Sequence, residues 1–178
     1  MTEKVLIAGA GGQGVMLLGK VLATAAMKEN KFVTWLPAYG AEVRGGTANC
    51  MVIISDEEIG SPYVEEADSM IILNQPSLEK FSKILKKKGL MVLNSSLAQG
   101  EKTGFVRILR LSFTDLAVEQ GNIKIANMIA LGAYLGKNKI VSTENIVETM
   151  KEMASGKPEL IEINKKAFFI GEQLANGK

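Results

Sequence analysis

Two short stretches collect residue types that can do chemistry. The first is Gly9-Ala-Gly-Gly-Gln-Gly14, in which Gly9, Gly11 and Gly14 satisfy a G-x-G-x-x-G spacing, with Gly12 in addition. Glycines let a backbone approach an anion closely, and a helix starting just beyond them aims its free N–H groups and positive dipole end at the same point. Gly11 is expected where loop and helix start come closest, so that a side chain there would crowd the loop. A dinucleotide site of this kind also needs an acid about 20 residues on, at the end of the second strand, to hold the ribose. Trp35, Leu36 and Pro37 stand there instead. The motif alone leaves three readings open: a NAD or FAD site, a site for another phosphate-bearing group, and a tight turn without a ligand.

The second stretch, Pro37-Ala-Tyr-Gly-Ala-Glu-Val-Arg-Gly-Gly46, breaks all periodicity. Tyr39, Glu42 and Arg44 are large polar groups set among Gly40, Gly45 and Gly46, which suggests a shaped surface more than a linker. Arg44 is one of only three arginines among 21 basic residues, and its guanidinium suits bidentate recognition of carboxylate or phosphate. The plainer alternative is a surface pair between Glu42 and Arg44, worth little energetically.

Composition removes several classes of chemistry. With no histidine and one cysteine, the chain has no imidazole base, no internal disulfide, and no ligand set for structural zinc or an iron–sulfur cluster. Cys50 lies in the apolar run from Ala48 to Ile54 and reads as a buried structural thiol, with a nucleophile as the rival reading. Any redox or carbon chemistry must therefore use a cofactor or another subunit. The net charge is +2, and the one basic run, Lys86-Lys87-Lys88, reads as a solvated helix end. Without a basic stripe interleaved with aromatics, nucleic acid is not an expected partner. Apolar runs fall short of the ~20 residues of a membrane span and the start carries no signal-peptide pattern, so no membrane association and a cytoplasmic location are expected.

The elements that must position these residues are short apolar strands alternating with helices. Val5 to Ala8 reads as a buried strand entering the glycine loop, and Leu18, Val21, Leu22 and Ala25 recur at helical spacing after it. Lys31 to Leu36 would complete a βαβ unit with a right-handed crossover. Further strands are expected at Thr47 to Ser55, Ser69 to Leu73, Leu90 to Leu93 and Gly104 to Leu109, and a helix over Ser77 to Lys87. Ile125 to Leu135 is apolar nearly all round and should be buried against the sheet or another chain. Ser142 or Thr143 can cap the next helix, and the last one carries a stripe of Leu160, Ile163, Ala167, Ile170 and Leu174. The pattern predicts one domain, 1–178, of α/β class: a three-layer, mostly parallel Rossmann-like or flavodoxin-like sheet with helices on both faces. Ligands in such sheets bind outside the carboxyl ends of the strands. The glycine loop, the loop after the second strand, Asn74 and Asn94-Ser95 should share that edge, the asparagines either contacting a ligand or capping turns.

Taken together, Gly9 to Gly14 and Tyr39-Gly-Ala-Glu-Val-Arg-Gly-Gly-Thr47 resemble the gamma subunit of the 2-oxoacid:ferredoxin oxidoreductases. The resemblance runs on through Asn127-Met-Ile-Ala-Leu-Gly132 and Asn164 to Gly171. It implies membership of an enzyme that oxidatively decarboxylates a 2-oxoacid with coenzyme A, giving an acyl-CoA and CO2 and passing electrons to ferredoxin. Thiamine diphosphate with magnesium and the iron–sulfur clusters would lie in alpha and beta subunits, with a delta, ferredoxin-like subunit in some members. The chain shows no fused ferredoxin-like segment of its own. By resemblance, Gly9, Gly11, Gly12, Gln13 and Gly14 form a backbone floor facing a neighbouring subunit or coenzyme A, and Tyr39, Glu42, Arg44, Gly45 and Gly46 form a contact loop. No catalytic residue and no metal ligand is expected in this chain, and overall likeness favours 2-oxoglutarate over branched-chain acids or pyruvate. The rival functions are a free-standing nucleotide-binding oxidoreductase, against which the missing ribose acid argues, and a small-molecule-sensing regulatory module.

Overall fold

A computed structural model describes residues 1–38, 47–100, 106–154 and 156–177. Its strands are β1 (Thr2–Ala10), β2 (Phe32–Ala38), β3 (Thr47–Ser55), β4 (Ala67–Ile72), β5 (Leu85–Asn94) and β6 (Arg107–Leu111). Its helices are α1 (Val15–Met27), α2 (Gln75–Phe81), α3 (Phe113–Glu119), α4 (Ala126–Lys137), α5 (Thr143–Met153) and α6 (Pro158–Ala175). The strands form one sheet in the order β2-β3-β1-β4-β5-β6. β1, β4, β5 and β6 pair in parallel, while β3 runs antiparallel to both β1 and β2.

β3 therefore separates the two strands of the expected first βαβ unit. Its composition explains the central position: Cys50, Val52 and Ile54 are buried on one face of the sheet and Met51 and Ile53 on the other. A near-continuous apolar run is what a strand covered on both sides requires.

Helices cover both faces unequally. Val5 and Ile7 face a core shared with α1, α3, α4, α5 and α6, whereas Leu6 and Ala8 face a thinner layer made by α2, a 3-10 turn at Ser82–Ile84, and Ile59 and Val64. α2 stops at Phe81, so Lys86-Lys87-Lys88 lies on β5 and not at a helix end. The cause is local: Leu85 is already extended and pairs with Ala67 of β4.

α4 is buried without a break from Asn127 to Gly136. It packs on α6 of the same chain at backbone contact: a Cβ at Gly132 would lie 1.9 Å from the Phe168 carbonyl oxygen, and one at Gly171 1.9 Å from that of Ile129. This crossing decides which face of α6 turns inward. Ala167, Phe168, Gly171 and Ala175 are buried, while Leu160 and Leu174 of the expected stripe stay exposed. Small residues win because only they admit so close an approach.

Candidate functional site

The carboxyl ends of β1, β4 and β5 meet at one edge of the sheet, and the glycine loop leaves β1 there. Ala10 to Gln13 form a turn in which the Gln13 N–H donates to the Ala10 carbonyl at 3.2 Å. Gly12 occupies its third position with φ 90°, a conformation that favours glycine. The Gln13 side chain then locks the turn: its carbonyl oxygen accepts from the Ala10 N–H at 2.6 Å, and its amide donates to the Leu73 carbonyl at 3.3 Å. Asn94 donates to the same Leu73 carbonyl at 3.1 Å and to the Thr114 hydroxyl at 2.9 Å. One carbonyl at the end of β4 thus ties the glycine loop to β5 and α3.

Gly14 caps α1 in the left-handed region, φ 73°, and no side chain caps that helix. The first helical bond runs from the Leu18 N–H to the Gly14 carbonyl, so the N–H groups of Val15, Met16 and Leu17 have no partner within the helix. No acidic residue stands in the first turn, which leaves the positive end of α1 uncompensated by its own side chains. Asn127 of α4 donates to the Gly14 carbonyl at 3.2 Å, and its own carbonyl accepts from the Met128 N–H at 2.9 Å. A buried amide in an otherwise apolar helix needs such partners, and that requirement is the sequence signal for its role.

The individual glycines differ. A Cβ at Gly9 would sit 2.7 Å from the Gln13 side-chain oxygen, and one at Gly14 2.2 Å from the Asn127 side-chain nitrogen. Among the described residues no heavy atom lies within 4 Å of such a Cβ at Gly11, so none of them gives the crowding expected there. Gly11 is exposed, and the tight approach falls at Gly9 and Gly14.

Beside the loop lies a cavity of about 140 Å³ walled by Gly12, Gln13, Leu73, Leu97, Ile123 and Lys124, with Asn94 and Thr114 at its base. Lys124 is the one ionisable side chain among the lining residues. The site therefore offers N–H donors, a cation and an apolar wall, which is binding chemistry without an acid–base pair. Leu97 and Ile123 are large apolar side chains left exposed in its wall. Thr114, Ile123, Lys124 and Asn127 gather here from segments more than a hundred residues from the glycine loop, and their sequence spacing does not announce it.

The expected asparagines make hydrogen bonds within the chain. Asn74 caps α2 by accepting from the Ser77 N–H at 3.1 Å, and Asn94 is buried with both ends of its amide engaged. Tyr39, Glu42, Arg44, Gly45 and Gly46 lie outside the described residues. Their flanks are nevertheless at this edge, since Thr47 pairs with Ala10 and Ala38 with Asn49. The position beside β1 where a dinucleotide fold presents its ribose acid is taken here by the start of β3. Cys50 is fully buried under α1, donates to the Val15 carbonyl at 3.6 Å, and burial pushes its thiol up to about 12. Buried and protonated, it has the surroundings of a structural thiol. Among the described residues no group of side chains could hold a metal, and no helix is long and apolar enough to cross a membrane.

Known proteins resemble this chain over nearly its whole length. The chain is 36% identical over 173 residues to the ketoisovalerate oxidoreductase subunit VorA of Methanothermobacter marburgensis, covering 97% of this chain but 36% of that one. The chain thus spans about a third of that relative's length. To the 2-oxoglutarate synthase subunit KorC of Methanocaldococcus jannaschii it is 32% identical, covering 98% of this chain and 95% of the relative. The crystal structure of the keto/oxoacid ferredoxin oxidoreductase gamma subunit from Geobacter sulfurreducens superposes with a TM-score of 0.85 at 29% identity, covering 99% of both chains. Residues 4–174 match the family described as pyruvate ferredoxin/flavodoxin oxidoreductase, and the chain belongs to that family.

Proposed function

We propose that this chain is the gamma-type subunit of a multi-subunit 2-oxoacid:ferredoxin oxidoreductase, acting in the cytoplasm. It presents its carboxyl edge to a companion subunit and to the coenzyme A that the reaction consumes. The observation that carries this reading is the pairing of a locked glycine loop with a cavity whose described lining is largely apolar and offers the cation Lys124. Such an edge binds and orients, while thiamine diphosphate and iron–sulfur clusters in companion chains would supply the carbon and electron chemistry. Among the described residues no cluster of side chains could hold an iron–sulfur centre, whereas the loop and cavity suit a phosphate-bearing ligand with an apolar arm. The N–H groups at the start of α1 and Lys124 would meet its charge, and Leu97 and Ile123 its apolar part. Arg44, whose loop begins and ends at this edge, would add a guanidinium across the subunit boundary.

For the oxoacid we propose 2-oxoglutarate, on the likeness to KorC along nearly the whole of both chains. The identity to the ketoisovalerate subunit supports a branched-chain acid as the second reading. The deciding experiment is reconstitution with the companion subunits, followed by 2-oxoacid- and coenzyme A-dependent dye reduction with 2-oxoglutarate, 2-oxoisovalerate and pyruvate. The isolated chain should be inert and the complex active; turnover by the chain alone, or no gain on assembly, sinks the reading. In the complex, Arg44→Ala should cost about 2 to 5 kcal/mol in subunit or coenzyme A affinity, as loss of a desolvated charge-assisted contact does. Arg44→Lys should fail as well, because lysine lacks the planar fork.

A further inference from the structure

The opposite edge of the sheet carries a feature that the glycine-loop reading does not use. Between β4 and β5 the register jumps, Ala67 facing Leu85 and Ser69 facing Leu90, so Lys86 to Gly89 bulge out of the ladder. Within the bulge Lys88 has φ 66°, a left-handed conformation uncommon for a residue with a side chain. Such strain persists only where the surroundings hold it. Here Arg107 Nε donates to the Lys88 carbonyl at 3.3 Å on one side, and a Cβ at Gly89 would lie 2.9 Å from the Asp68 carbonyl oxygen on the other.

The bulge walls a cavity of about 250 Å³ that also takes in Glu3, Asp68, Ser69, Arg107 and Asn138. Its two acids are already committed. Asp68 pairs with Lys86 at 2.7 Å and accepts from the Lys4 N–H at 2.9 Å. Glu3 accepts from Ser69, from Asn138 at 2.7 Å and from Tyr134 at 3.3 Å, and burial raises its pKa, so that it takes up a proton more readily. Lys88 and Arg107 line it with exposed side chains, and Lys86 is already set against Asp68. The Arg107 terminal N–H groups extend the fork whose Nε is anchored on the bulge, the geometry that suits a tetrahedral oxyanion.

We propose that this cavity binds a small phosphate dianion, free or as a monoester, between Lys88 and Arg107. The site is independent of the function proposed above. It is tested by titrating the full chain with inorganic phosphate, and separately with glycerol 3-phosphate, at constant ionic strength while following the backbone amide resonances of Lys88, Gly89 and Arg107. Saturable shifts at these residues are expected with both probes, and tighter binding of the ester identifies a monoester as the preferred ligand. Lys88→Gly keeps the left-handed backbone without the charge, and Arg107→Gln removes the fork. Each should weaken binding by about tenfold or more, as loss of a charged hydrogen-bond partner does, and in Lys88→Gly, where no holding contact is lost, the melting temperature should not fall. Unsaturated linear shifts, binding undiminished in both variants, or shifts at Gly12 and Gln13 instead would overturn the proposal. So would binding of polyglutamate but not of phosphate, which would make the bulge a docking surface for an acidic protein.

Discussion

Glycine brings backbones together in two regions of this molecule, with different neighbours. At the α4–α6 crossing, Gly132 and Gly171 each lie against a carbonyl oxygen of the facing helix. In the loop after β1, Gly9 and Gly14 lie against the ends of the Gln13 and Asn127 side chains, and Gly12 and Gly14 have positive φ. Backbone cannot yield without moving a helix, whereas a side-chain amide can swing away. The crossing is therefore a packing constraint, and the loop is an arranged surface whose shape two amides maintain.

The sharpest way to expose that contrast is Gly171→Ala. Its new methyl meets the Ile129 carbonyl oxygen, the helices must part, and overpacking of this kind should cost about 3 kcal/mol. Thermal melting should show a drop of about 6 to 12 °C; an unchanged melting temperature would mean the helices do not touch there. Gly14→Ala should cost less, about 2 kcal/mol, from left-handed strain and displacement of Asn127. Asn127→Ala should cost about 1 kcal/mol through the lost bond to the Gly14 carbonyl. In the double variant the clash is gone and only the strain remains, so the two costs should fall short of additive; strict additivity in denaturant midpoints would disprove the contact.

A smaller effect comes from Glu3. Burial raises its pKa in the folded chain, so the folded state holds the proton more tightly than the unfolded one. Its contribution is then greatest below the ordinary value of 4.5 and is lost as pH rises through the raised folded value. Urea midpoints measured across that window should decline less steeply with rising pH in Glu3→Gln than in the parent; identical slopes would show that Glu3 does not titrate differently on folding. The smallest effect belongs to Gly11→Ala. With no positive φ and no described residue within 4 Å of the new methyl, the change should stay within about 0.5 kcal/mol and leave assembly intact. A large loss would show that a companion subunit presses on the loop at that point.

Much of the architecture follows from local sequence. Val5 to Ala8 running into Gly9, the helical spacing of Leu18 to Ala25, and the Ser142 cap of α5 each appear where their patterns place them, because strand burial, helix periodicity and capping are decided within a few residues. The glycine loop was legible for the same reason, since tight turns have few compatible residues. What local pattern does not carry is who stands beside whom. β3 enters between β1 and β2, the lysine run joins β5, and α6 turns Gly171 inward in preference to Leu160 and Leu174. Each of these outcomes is set by fit between segments distant in the chain. The same holds for the cavity, where Gln13, Leu73, Thr114 and Lys124 meet only because four strand ends and two helix starts converge on one edge. Residue types bounded the chemistry available, since the chain has no imidazole base and its one thiol is buried. Tertiary structure alone decided where the glycine loop and its cavity lie, because hydrogen bonds such as those joining Gln13 and Asn94 to the Leu73 carbonyl exist only after the sheet has assembled.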